Sequence, residues 1–202
     1  LHLLLSRLRA EELWQRLPET LRDRADLETA RRVYHYEDEE ARAGLKYALN
    51  FVASEEEASA FLDEHFRQAL GEEREWVART YLTPGEAREL AEEGFEIGNH
   101  GYSHSLLTNA EAGSWGKELE RSHAHLTRSV GRPPRFFAPS FGRIPAGAAA
   151  ALRRLGYLGM LALPEGVNRA GQDAFALRRL DCIHLPPRLP AEDSLARLQS
   201  AT

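Results

Sequence analysis

A chain of 202 residues with 43% hydrophobic and 28% charged content carries enough apolar material for one core and is short for two full domains. Its net charge of −5, with arginines mixed among glutamates rather than clustered, argues against a nucleic-acid surface. Cys182 is the single cysteine, so no internal disulfide or cysteine-built metal centre can form, and it reads as a small apolar strand residue.

Leu3-Leu4-Leu5 falls far short of the roughly 20 apolar residues of a membrane-spanning helix, and no signal peptide is visible. The chain begins at Leu1 rather than at methionine and reads as a fragment or processed form. A secreted, periplasmic or cytoplasmic location therefore stays open, as does the oligomeric state.

From Leu1 to about Ala30, leucines recur near helical spacing, which predicts one or two amphipathic helices broken near Pro18. A second helical block is expected from Glu37 through Leu45 and Leu49 to Phe51. Ser54 with Glu57 has the form of a capping box for a third helix that turns Phe61, Leu62, Phe66 and Leu70 inward. These acidic runs read as solvated helix faces.

Thr83-Pro84-Gly85-Glu86 predicts another capped helix, ended by Gly94, with Phe95 to Gly98 following as a short strand. His100 and His104 then leave the strand end four residues apart. At that spacing two imidazoles converge on one metal ion if the segment winds into a turn; otherwise they are polar loop residues. Thr108 and Glu111 suggest a capping box for a long helix through Trp115, Leu119 and Leu126 that ends before Gly131. His123 and His125, two apart on it, read as surface or structural residues.

Arg132-Pro133-Pro134-Arg135 forces an extended lead-in to a strand at Phe136-Phe137-Ala138. The strand empties into Pro139-Ser140-Phe141-Gly142, a loop that presents backbone N–H groups where parallel sheets and barrels place active sites. A helix from Ala146 to Leu155, a strand from Tyr157 to Leu163, a loop from Gly166 to Asp173, a strand from Phe175 to Ile183 and a short final helix complete the reading. Parallel β/α units are the economical architecture for this alternation.

From about Tyr81 to Arg179 the chain resembles the polysaccharide deacetylase family, also called the NodB-homology domain or carbohydrate esterase family 4. The run "YLTPGEARELAEEGFEIGNHGYSHSLLT" is similar to that family's lead helix, strand and second motif, here His100-Gly101-Tyr102-Ser103-His104. "RPPRFFAPSFGR" is similar to its third motif. The resemblance implies an α/β fold, a distorted parallel (β/α) barrel incomplete at its N-terminus. It further implies a single domain over residues 1–202, with a helical insertion at 1–80 and the core at 81–202.

The family implies a divalent metal, zinc foremost, held by two histidines and an aspartate. It also implies metal-assisted hydrolysis of an N- or O-acetyl group on a carbohydrate, the substrate and partner expected here. Carried over residue by residue, His100 and His104 become metal ligands, and the backbone of Phe141 takes the oxyanion role of a family tyrosine. Pro139, Ser140 and Gly142 then flank the substrate.

The departures are specific. No Asp-Asp pair follows an apolar strand, so the catalytic base and third ligand of the family are missing, and they are expected upstream of Leu1. Ser140 replaces a usual proline, and Ala138 stands where many members have arginine. His184, within Cys182-Ile183-His184, approximates the late motif that supplies a general acid; a polar strand cap is its alternative. Arg179 aligns with an arginine that pairs with a site carboxylate, against a solvated position on the sheet. The competing functions are a catalytically incomplete carbohydrate-binding or scaffold relative and a helical interaction module.

Overall fold

The computed structural model describes residues 1–104, 114–142, 144 and 146–180. Two compact units divide between Tyr81 and Leu82.

The first unit is helical. The leucine-rich start forms four short helices, α1 (His2–Leu5), α2 (Ala10–Arg16), α3 (Glu19–Arg24) and α4 (Leu27–Val33), rather than the one or two expected. Pro18 supplies one break; extended backbone at Arg9 and Ala25 supplies the others, so periodicity marked the buried face without marking the joints. Leu4, Leu13, Leu17 and Leu21 nonetheless meet in one core with Leu45, Leu49 and Phe61.

Helix α5 (Glu40–Tyr47) runs into a π-helical turn, Ala48–Val52, before α6 (Glu55–Leu70) and α7 (Glu73–Thr80). Ser54 and Glu57 form the expected capping box at the start of α6. Lys46 is buried beside Glu37, with its ammonium 5.6 and 5.5 Å from the ring centres of Tyr34 and Tyr36. A buried ammonium needs that carboxylate and those π faces because it has left water.

The second unit opens with α8 (Pro84–Glu92), capped by Thr83 and Glu86 as the sequence predicts. It packs beside α9 (Ser114–Val130), and Arg88 donates to the terminal carbonyls of Arg128 and Ser129, satisfying acceptors that a helix end leaves open. The capping box expected at Thr108 to Glu111 lies outside the described residues. Three strands, β1 (Phe136–Phe137), β2 (Gly159–Glu165) and β3 (Leu177–Arg179), pair in parallel in that order. Helix α10 (Ala148–Arg154) carries the crossover between β1 and β2.

Phe95 to Gly98 is not a paired strand. Only Asn99 joins the sheet, by a parallel bridge to Phe137 on the side of β1 away from β2. Phe95 lies 58% exposed because Arg132 and Arg135 hold this segment through polar contacts, to the Phe95 carbonyl and to Glu96, rather than apolar ones. Likewise Phe175 belongs to a 3-10 turn, Ala174–Ala176, capped by Asp173, and pairing begins only at Leu177. The described sheet is thus a three-stranded parallel core with one bridge, not a closed barrel.

Leu119, Phe137, Leu152, Tyr157, Met160 and Phe175 form the buried cluster beneath it. Gly159 admits no side chain: a Cβ there would lie 2.8 Å from the Ala174 carbonyl oxygen. Among the described residues, no helix is long and apolar enough to cross a membrane.

Candidate active site

The site grows from the carboxyl ends of two adjacent chain segments, the one leaving Asn99 and the one leaving β1. Asn99 locks them together. Its N–H donates to Phe136 O at 2.9 Å and its carbonyl accepts from Ala138 N at 2.8 Å. Its side chain is 1% exposed, and the amide nitrogen donates to Ser122 Oγ at 2.9 Å and to the Tyr157 hydroxyl at 2.7 Å. The amide oxygen accepts from Gly101 N at 2.9 Å. Both donor hydrogens and the acceptor are therefore used, as burial demands. Burial pushes the Tyr157 phenol above its ordinary range, so it stays a neutral partner.

His100 follows. Its Nδ1 lies 2.7 Å from Ala138 O, and because a carbonyl can only accept, Nδ1 carries the proton and Nε2 keeps its lone pair. A second hydrogen bond of this kind is what orients the imidazoles of metal-ligating histidines in general. The His100 carbonyl accepts from Ser140 Oγ at 2.8 Å, which ties the histidine loop to the loop after β1 a second time.

His104 presents its ring 5.0 Å from that of His100, centre to centre, at 64°. Two imidazoles on one tetrahedral zinc, with Zn–N bonds of about 2.0–2.1 Å, have ring centres about 5 Å apart. The spacing fits. Partial desolvation of the His104 ring, and then the neighbouring His100, hold its pKa below the ordinary histidine value. The ring of Phe141 stands 5.0 Å from that of His104, at 64°.

His104 and Phe141 have φ of 57° and 54°, the positive-φ residues other than glycine among those described. Backbone strain of this kind persists only where surroundings over-determine it, and here both strained residues sit in one ring contact.

The other expected residues are placed as follows. Pro139 and Ser140 are buried, and the Ser140 hydroxyl is directed to His100. Gly142 N–H donates to Pro139 O at 3.0 Å, closing the turn that Phe141 occupies. Arg179 ends β3, half-buried, with its carbonyl accepting from Gly166 N at 3.2 Å. His184 lies outside the described residues. Among those described, no cluster of three or more histidine, cysteine, aspartate or glutamate residues is arranged to hold a metal.

Sequence reasoning missed Asn99, Ser122, Tyr157 and Glu118. The Glu118 carboxylate accepts from Tyr102 N at 2.8 Å, Ser103 N at 2.6 Å and Ser103 Oγ at 3.0 Å. Glu118 and Ser122 are one helical turn apart on α9 and so share a face, but nothing in the sequence marked that face as the one meeting the histidine loop.

Residues 53–160, a little over half of the chain, match the family described as polysaccharide deacetylase. Among solved structures, the chain is similar to Streptococcus pyogenes deacetylase PplD in complex with acetate, at 19% identity and a TM-score of 0.51, over 71% of this chain and 64% of that one. IcaB from Ammonifex degensii is 22% identical with a TM-score of 0.47, over 56% of this chain and 52% of that one. The uncharacterized protein YlxY of Bacillus subtilis (strain 168) is 32% identical over 56 residues, 28% of this chain and 18% of that protein. The chain thus spans less than two thirds of the length of each of these. With a family match over more than half its length and the fold it shares with a solved deacetylase, the chain belongs to the polysaccharide deacetylase family.

Proposed function

We propose that this chain carries the histidine half of the metal centre in a metal-dependent hydrolase that removes N- or O-acetyl groups from a carbohydrate. The carrying observation is the His100 imidazole: with Nδ1–H donated to Ala138 O at 2.7 Å, its Nε2 lone pair is presented beside the His104 ring. His100 and His104 hold the ion, and zinc suits two imidazoles at this separation. When bound, zinc supplies Lewis acidity, polarising the acetyl carbonyl and easing deprotonation of water.

The chain's own residues do the rest. Ala138 O fixes the His100 tautomer, and the Phe141 ring orients His104. The Phe141 backbone N–H serves as the oxyanion donor, with Pro139, Ser140 and Gly142 shaping the turn that aims it at the acetyl group. Arg179 holds a site carboxylate ionised by opposite charge, and His184 delivers the proton to the leaving group. In this reading residues 1–80 are a helical insertion and residues 81–202 the catalytic core of one domain.

One observation favours a second reading, a carbohydrate-binding relative without turnover: among the described residues no carboxylate completes the ligand cluster. Zinc titration and acetate release separate the two. Zinc uptake that is lost in the His100→Ala/His104→Ala variant, together with zinc-dependent acetate release from chitin oligomers or acetylated xylan, supports the hydrolase. Zinc and glycan binding without acetate release supports the second reading. Zinc uptake unchanged in the double variant overturns the metal assignment.

A further inference from the structure

Glu118 aims a carboxylate at the backbone between the two site histidines. A single oxygen, Oε1, receives Tyr102 N–H, Ser103 N–H and the Ser103 hydroxyl, at 2.8, 2.6 and 3.0 Å. Hydrogen bonds to an ionised acceptor are shorter and about twice as strong as neutral ones. Here they are spent on a five-residue loop whose ends are His100 and His104.

That loop needs an external hold. Gly101 has φ +98° and His104 has φ +57°, so two of its residues occupy the left-handed region. No regular ladder passes through residues 100–104 to enforce those angles. Helix α9 does so instead. Ser122 receives the Asn99 amide and Glu118, one turn nearer the helix start, receives the next two loop N–H groups. Leu119, buried between them in sequence, anchors that part of the helix in the core.

We propose that Glu118 is a positioning residue for the metal centre: its carboxylate holds the loop in the one conformation that brings both imidazoles to a shared ion. The inference rests on the proposed metal role of His100 and His104. It assigns Glu118 no ligand role and no contact with substrate. Losing the acceptor frees two N–H groups and a hydroxyl at once, and the strained loop relaxes.

The test uses Glu118→Ala and Glu118→Gln in the full chain, with three measurements. Zinc titration by calorimetry is the first. Imidazole nitrogen NMR of the metal-free protein, reading the His100 tautomer, is the second, and amide exchange at Tyr102 and Ser103 is the third. Glu118→Ala is expected to weaken zinc binding by about 10- to 100-fold, the range for lost outer-shell partners. It should also average the imidazole signals and speed exchange at both amides. Glu118→Gln keeps an acceptor oxygen of the same reach and should recover most of the affinity.

Zinc affinity and imidazole signals in Glu118→Ala equal to those of the parent would overturn the inference. So would a variant that melts earlier yet keeps both, since fold support alone would then describe Glu118. If the parent takes up zinc independently of His100 and His104, the metal reading fails separately. The metal-free spectra still decide whether Glu118 sets the imidazoles.

Discussion

Ser140 Oγ donates to the carbonyl of His100 at 2.8 Å, joining across 40 positions of sequence the two loops that the family resemblance treats as separate motifs. Ser140 is 1% exposed, so this hydroxyl has no water to turn to. Ser140→Ala leaves the His100 carbonyl short of a partner and should cost about 1–2 kcal/mol. Urea denaturation would measure it. A loss of zinc affinity in the same variant would show that the link also sets the first imidazole.

Asn99→Ala removes a side chain that uses both its donor hydrogens and its oxygen inside the fold. The Tyr157 hydroxyl and the Gly101 N–H lose partners in a nearly dry site. The expected destabilisation is about 2–4 kcal/mol, read as a shift in denaturation midpoint with an unchanged slope. A loss below about 0.5 kcal/mol, the size of an ordinary surface substitution, would contradict the network.

Gly101→Ala meets two obstacles. The backbone there has φ +98°, and an added Cβ would stand 3.3 Å from Ser140 Oγ. Strain of about 1–3 kcal/mol is expected, together with weakened zinc binding, because relief requires the loop to move. A d-alanine at this position, introduced by semisynthesis, accommodates positive φ and should restore much of the stability.

Acid should weaken the junction between the site's two segments. The hydrogen bond from Arg135, at 2.6 Å, lowers the Glu96 pKa, and burial only partly opposes it. A carboxylate whose folded pKa lies below its unfolded value contributes stability that is present above the unfolded pKa and is lost as pH falls through the folded one. Stability measured from pH 6 downward should therefore fall less steeply in Glu96→Gln than in the parent. Identical acid limbs would remove Glu96 from the account; the pair is exposed enough that the effect should also shrink with salt.

Much of the second unit was legible because its signals are local. The Thr83 and Glu86 box, the strand at Phe136 and Phe137 and the end of α9 before Gly131 depend on residues within a turn of one another. The same holds for Ser54 and Glu57 in the first unit. The strand expected at Phe95 to Gly98 failed because alternation of apolar residues does not reveal whether a pairing partner exists; only Asn99 found one.

The two histidine rings do stand 5.0 Å apart, but through a loop of bends rather than the helical turn that their spacing suggested, and the residues supporting that loop were not readable. Asn99 reaches Tyr157 across 58 positions, and Glu118 reaches the loop across 15 and 16. Such contacts follow from tertiary packing, and Glu118 looks in sequence like any other charge on an amphipathic helix.

The left-handed backbones of His104 and Phe141 set the site against any search for greater thermostability. Glycine would relieve roughly 1 kcal/mol at each position, so selection for a higher melting temperature alone would favour erasing both side chains. What such a selection discarded would be one imidazole and the ring packed on it. A stabilised descendant could keep the fold and lose both rings through two substitutions that each looked like an improvement.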